Sequence, residues 1–246
     1  MGDEMSIAFK ILKKTVKLLF SCLIAFICGF VIWRMLSSGD PASMKVLSAN
    51  ERLCEAYAEN GKELYMFKQG QRSITSGEDN YGYFSITDYA IIPDANQIQT
   101  VFRYNVSTLE STAADYSLDQ VPSRDQEVYD VTLLVAIDLT PDVEEDNSGN
   151  DPNSVKFVRC HGEMTLSDTK NLYNFKRLVF QLDDAEINIK ELMDSGLLLA
   201  IYADVCYNGA IDYENPYGTL CLYDFASENV KIELDRRDIK ALEEYK

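Results

Sequence analysis

Histidine, tryptophan and basic side chains are scarce in this chain, and each scarcity closes off a class of function. There is one histidine in 246 residues, His161. A three-histidine zinc site cannot be built, and any Ser-His-Asp or Cys-His relay would have to use that single ring. No Gly-x-Ser-x-Gly elbow accompanies it. Adjacent strand residues point to opposite faces, so Cys160 and His161 are poorly placed to chelate one ion, and we read His161 as an ordinary strand residue. The one tryptophan, Trp33, lies in an apolar run near the start, which leaves the rest of the chain without the usual stacking platform for sugars. Gly-x-Gly-x-x-Gly, the phosphate-binding Gly-Lys-Ser/Thr loop and Cys-x-x-Cys are absent as well. Nucleotide use, a zinc ribbon and a thioredoxin-type redox motif therefore have no support.

The shortage of basic residues is severe: 23 Lys and Arg face 40 Asp and Glu, a net charge of −17. It is also uneven. Residues 1–36 hold Lys10, Lys13, Lys14, Lys17 and Arg34 against Asp3 and Glu4, a balance of +3 that leaves −20 on the other 210 residues. A domain that acidic repels phosphate backbones, so nucleic acid is excluded as a partner.

What is present begins with a membrane segment. From Leu18 to Trp33 the chain carries no charge. Extended to Leu36 it makes a helix of about 28 Å, close to the hydrocarbon thickness of a bilayer. Lys17 and Arg34 flank it, where long stems snorkel to the headgroups, and Trp33 suits the far interface. The basic cluster precedes the run, so the positive-inside rule places the N-terminus in the cytoplasm and the rest outside. A signal peptide cleaved near Ser37-Ser38-Gly39 is the competing reading; the length of the apolar run and the intervening Arg34 weigh against it. Leu19-Phe20-Ser21-Cys22 comes too early in the run to serve as a lipidation box. We thus expect a cytoplasmic tail at 1–17, a transmembrane helix at 18–36, a stem at 37–47 and an extracytoplasmic domain at 48–246, on the plasma membrane.

Within that domain, Ser48 and Glu51 have capping-box spacing, and Leu53, Ala56 and Tyr57 form the apolar stripe of a helix ending at Asn60-Gly61. The period then changes to two. Ile98, Thr100, Phe102, Tyr104 and Val106 share one face of a strand, with Gln99, Arg103 and Asn105 on the other. Pro93-Asp94-Ala95-Asn96 is a turn feeding it from an earlier strand at 83–91. Val131, Leu133, Val135, Ile137 and Leu139 alternate with Asp130, Thr132 and Asp138. Further strand-like runs cover 155–164, 172–182, 197–207, 219–225 and 230–234. About eight strands without intervening helical patterns predict a mainly β chain, an antiparallel β-sandwich of immunoglobulin-like type. A helical turn is expected within 183–194 and a short closing helix at 235–246.

Trp33-Arg34-Met35, Ser38-Gly39-Asp40-Pro41 and Ser43-Met44-Lys45 resemble the juxtamembrane signature of a family of uncharacterised single-pass envelope proteins from Gram-positive anaerobes. Asn80-Tyr81-Gly82-Tyr83-Phe84-Ser85, Val101-Phe102-Arg103-Tyr104-Asn105, Asp138-Leu139-Thr140-Pro141-Asp142 and Leu172-Tyr173-Asn174-Phe175 are similar too. The resemblance spans nearly the whole chain. It implies a bacterial envelope protein and no particular activity.

The remaining candidate sites are weak. Ser167-Asp168-Thr169-Lys170 matches the Ser-x-x-Lys of penicillin-recognising enzymes, but Ser-Asp-Asn and Lys-Thr-Gly elements are missing, and the stretch reads as a polar turn. Asp142, Glu144 and Asp146, in the acidic loop 142–151, match the alternation of a calcium loop. Asn147 then stands where glycine is wanted and Asn153 where a bidentate glutamate is wanted, so a solvated loop is the simpler reading. Cys54, Cys160, Cys206 and Cys221 lie beyond the membrane run. If 197–207 and 219–225 pair as a hairpin, Cys206 and Cys221 could face each other as a disulfide; free buried thiols are the alternative that an anaerobe favours. All fifteen tyrosines lie past the membrane run; the clusters Tyr81/Tyr83 and Tyr213/Tyr217 suit recognition, and tyrosine is also ordinary strand composition. We expect no catalytic residue, no cofactor and no resident metal. The chain reads as a tethered module contacting another envelope protein or a wall component. A calcium or small-ligand sensor using the 142–151 loop is the alternative, and a carboxylate-based hydrolase ranks last.

Overall fold

The computed structural model describes residues 2–69, 84–139 and 155–245. The chain divides into two compact units, Met1–Gly39 and Asp40–Lys246. The first is a single helix, α1 (Gly2–Ser38). Its stretch Lys13–Val31 is long and apolar enough to cross a membrane, and none of that stretch is buried within the protein. Phe20, Phe26 and Ile27 are exposed to the surroundings. Such a surface calls for an apolar environment, because each side chain left in water forgoes about 2 kcal/mol of burial.

The second unit is a sandwich of two antiparallel sheets. Among the described residues it has ten strands: β1 (Met66–Gln69), β2 (Phe84–Ile92), β3 (Gln97–Asn105), β4 (Tyr129–Asp138), β5 (Val155–His161), β6 (Glu163–Lys170), β7 (Tyr173–Gln181), β8 (Leu198–Tyr207), β9 (Gly218–Asp224) and β10 (Asn229–Ile232). The larger sheet runs β10-β1-β2-β3-β7-β6 and the smaller β5-β4-β8-β9. Six plus four strands is not the four-plus-three arrangement of an immunoglobulin constant domain, so the sandwich stands without that type attached. The alternating residues meet in the middle as predicted. Phe84, Ile98 and Phe102 of the large sheet pack against Tyr129, Leu133, Val135 and Ile201 of the small one. Tyr129 stands edge-on to Phe84 at 4.8 Å and to Tyr104 at 4.9 Å.

Two expectations are corrected here. The run at 155–164 is two strands: Gly162 separates β5 from β6 and carries the chain from the small sheet to the large one. A Cβ there would lie 2.6 Å from Cε1 of the buried Phe180, so the crossing point admits no side chain without a shift. A helix, α3 (Ser107–Asp115), also stands between β3 and β4, where no helical pattern was read. It buries Thr108, Leu109 and Thr112, and a face with two threonines shows little apolar periodicity.

The outer face of the large sheet is covered. Residues 40–50, expected in part as a stem, belong to the compact unit. Met44 packs on Val101 and Phe175. Helix α2 (Glu51–Asn60) lays Leu53 and Ala56 on Met66, Ala90 and Ile92, joined by Leu242 of α5 (Arg236–Glu244). The start of α2 differs from the expected capping box. Asn50 is the cap, accepting from Leu53 N at 3.1 Å, while the Ser48 hydroxyl pairs with Thr165 Oγ1 at 2.6 Å. Its end is as expected: Gly61 follows at φ 59°, a left-handed position. The closing helix α5 also forms as expected, capped by Asp235, which accepts from Asp238 N at 3.0 Å while Asp238 Oδ2 accepts from Asp235 N at 3.0 Å. A short helix, α4 (Ile189–Asp194), fills the predicted turn before β8.

Candidate functional site

The outer face of the small sheet is treated differently. Three registered rows of side chains cross it. One runs His161, Thr132, Asp204, Thr219; the next Arg159, Leu134, Tyr202, Cys221; the third Phe157, Ala136, Ala200, Asp224. Phe157 is 57% exposed, a high value for a phenylalanine in mid-strand. Leu134 and Tyr202 beside it are half-buried.

Arg159 organises the polar part of this face. It donates from Nη1 to Asp204 Oδ2 at 2.8 Å and to Thr132 Oγ1 at 2.7 Å. The other carboxylate oxygen of Asp204 accepts from Thr219 Oγ1 at 2.8 Å. Asp204 and Thr132 are buried, so the charge of Asp204 is tolerated because both oxygens are hydrogen-bonded. From the 208–217 connection, Tyr213 lies over the guanidinium at 4.2 Å and donates to Asp130 Oδ2 at 3.2 Å. The result is a flat aromatic and guanidinium surface held rigid from beneath, a composition that suits contact with another molecule.

Chemistry at a bond is less well served. His161 is exposed, 6.1 Å in ring centroids from Tyr213, and its ring makes no hydrogen bond with a described residue. Cys160, its neighbour, is buried on the opposite face, and burial pushes its thiol up to about 11. Among the described residues no group of three His, Cys, Asp or Glu could hold a metal. Asp142, Glu144, Asp146 and the tyrosines Tyr81 and Tyr83 lie outside the described residues.

Ser167 and Lys170 fall on β6, so the expected polar turn is a strand, and Ser167 opens no helix. The hairpin β8–β9 forms as anticipated, but its register overturns the Cys206–Cys221 disulfide. Cys221 stands opposite Tyr202, four residues along β8 from Cys206, about 13 Å at the strand rise and far beyond disulfide reach. Neither cysteine forms a disulfide. Cys206 faces Asp212 O at 3.3 Å, and burial, with Asp204 and Asp130 nearby, pushes it up to about 11.

Sequence reasoning passed over Arg159 and Asp204, and had Tyr213 only as one of a loop pair with Tyr217. The available signal was weak: Thr132 and Asp204 are polar residues on the alternate positions of two otherwise apolar strands. Comparison of the chain with protein-family models, with curated proteins and with solved structures finds no match.

Proposed function

We propose that this chain is a membrane-tethered binding module of the cell envelope. Residues 18–36 anchor it with the N-terminus in the cytoplasm, and the acidic sandwich lies outside. It works by contact, without catalysis, and its partner is another envelope protein or a wall component.

The observation that carries this reading is the asymmetry between the two outer faces. The large sheet is roofed by residues 40–50, α2 and α5, whereas the small sheet leaves Phe157, Tyr202, Tyr213 and Arg159 at its surface. Aromatic and arginine side chains on a rigid support are the composition of interface anchors. The apolar stretch of α1 and the basic residues before it support the tether and its direction. The resemblance to anaerobe envelope proteins points the same way.

The test is a photo-crosslinking amino acid placed at position 157, with position 55 on the exposed side of α2 as the control, in living cells of the source organism. A discrete crosslinked product from 157 that is missing from 55 is the expected result. Equal crosslinking from both positions, or none from 157, would sink the reading. A labelling enzyme fused after Lys246 reports the side of the membrane: enrichment of cytosolic proteins would invert the proposed orientation.

A further inference from the structure

The crossing at Gly162 opens a cleft of about 340 Å³ between the two sheets. Glu127, Asp130, Gly162, Glu163, Lys176 and Asn208 are among the residues that line it. Its inner wall is unusual. Lys176 is in register with Phe102 of β3, a core residue, so its side chain enters the space between the sheets and is only 5% exposed. Buried lysines are ordinarily paired, yet among the described residues Lys176 forms no ion pair. Burial pulls its ammonium below the usual lysine range, with Glu127 acting in the opposite sense.

A buried cation without an ion pair calls for an anionic oxygen acceptor, since an uncompensated buried charge carries its full desolvation cost. The rim has the opposite character. Glu127 is an exposed carboxylate at the mouth and is in no ion pair among the described residues.

We infer that this cleft binds a small zwitterion of the amino-acid type, its carboxylate taken by Lys176 inside and its ammonium by Glu127 at the mouth. A simple anion would meet Lys176 but pass the Glu127 carboxylate, and a simple cation would satisfy the rim and leave Lys176 unpaired. A molecule with both charges satisfies both ends. The volume is at the lower end of ligand clefts, which run from roughly 300 Å³ upward, and so suits something of amino-acid size. This site lies between the sheets, whereas Phe157 and Arg159 lie on the outer face proposed for partner contact; Asp130 lines the cleft and accepts from Tyr213 of that face.

The experiment is calorimetric titration of the full chain in detergent micelles with glycine, alanine, β-alanine and glutamine, against acetate and methylammonium as single-charge controls. At least one zwitterion is expected to bind about ten-fold more tightly than either control, because each charge pair adds its own contribution. Lys176→Met should weaken that zwitterion about ten-fold or more, since the pairing charge is gone. Glu127→Gln, a change at an exposed position, should weaken the zwitterion about three-fold and should not weaken acetate. Acetate or methylammonium binding as tightly as every zwitterion, no binding by any probe, or unchanged affinity in a folded Lys176→Met protein would each overturn the proposal. Should Lys176→Met fail to fold, the wild-type comparison and Glu127→Gln still decide it. None of these outcomes bears on the crosslinking at position 157.

Discussion

The side-chain amide of Gln99 binds the backbone of Ser48 on both sides, accepting from Ser48 N at 2.8 Å and donating to Ser48 O at 2.9 Å. Gln99 sits on β3 and is fully buried, so it offers the segment before α2 the hydrogen bonds a neighbouring strand would offer. Gln97 and Asn50 repeat the device with a reciprocal amide pair at 3.1 and 3.2 Å. Arg177, also buried, donates to the carbonyl of Met44. Residues 44–50 are thereby fastened to the large sheet at β3 and β7.

Gln99→Ala removes both bonds to Ser48 and leaves its N–H without a partner under the roof, while its C=O keeps the Asn50 Nδ2 donor at 3.1 Å. A loss of about 2 kcal/mol is expected, mostly from the one unsatisfied backbone N–H. Urea unfolding of the full chain in micelles, followed by tyrosine fluorescence, measures it. A loss below about 1 kcal/mol would show that residues 40–50 are not held through this amide.

Gly162→Ala should destabilise the sandwich by about 1–3 kcal/mol through overpacking against Phe180. The new methyl would sit 2.6 Å from the ring of a side chain that is itself fully buried, so neither can retreat into solvent. The double change Gly162→Ala with Phe180→Leu should cost less than the two single changes added together, because the smaller side chain makes room for the methyl. Strict additivity would mean the clash is relieved by backbone movement instead.

Much of the sandwich was legible in the sequence because strands with one face in a core must alternate. Val131 to Ile137 and Ile98 to Tyr104 show that alternation, and both became central strands. The parts that were not legible share a cause: their reasons lie far away in sequence. Strand β1 is four residues long and earns its place by pairing with β10, more than 150 positions later. Helix α3 packs through threonines, one of which meets Tyr129 at 2.8 Å. Lys176 and Arg177 look like the polar middle of an edge strand. In fact each is buried, on opposite faces of β7, one entering the cleft and the other lying under residues 40–50. The Cys206–Cys221 pairing failed for the same reason, since a hairpin was visible in the sequence and its register was not.

Cysteine chemistry tests that register. With their thiols pushed up to about 11, Cys160 and Cys206 stay protonated at pH 8. Alkylation of the native protein at that pH should label them about a hundred-fold more slowly than the unfolded protein, in which a free cysteine has its ordinary acidity. Peptide mapping under non-reducing conditions should return Cys206 and Cys221 as separate thiols. A Cys206–Cys221 linked peptide would require β9 to slide along β8 by four residues, and the Ala203–Leu220 register would be wrong.

The sign of the Lys176 effect on stability can be worked out without knowing any ligand. Burial lowers the affinity of the folded state for the ammonium proton relative to the unfolded chain. Below the folded value both states are charged, and the folded state bears the whole cost of an unpaired buried cation. Between the folded value and the ordinary lysine value of 10.5 the unfolded chain holds more protons. Stability therefore rises with pH across that window as the cost is relieved. Lys176→Met removes the cation at every pH and keeps the length of the side chain. It should be more stable than the parent at pH 7 by about 1–3 kcal/mol, the range found when buried charges are replaced by apolar groups of similar volume. The difference should narrow as pH approaches 10.5, since the parent then sheds the same charge. Because other groups titrate equally in both proteins, the difference between the two unfolding curves isolates Lys176. A variant less stable than the parent at pH 7, with a gap that widens on raising the pH, would mean that the ammonium is paired within the folded protein, and the case for an anionic ligand group would lose its basis.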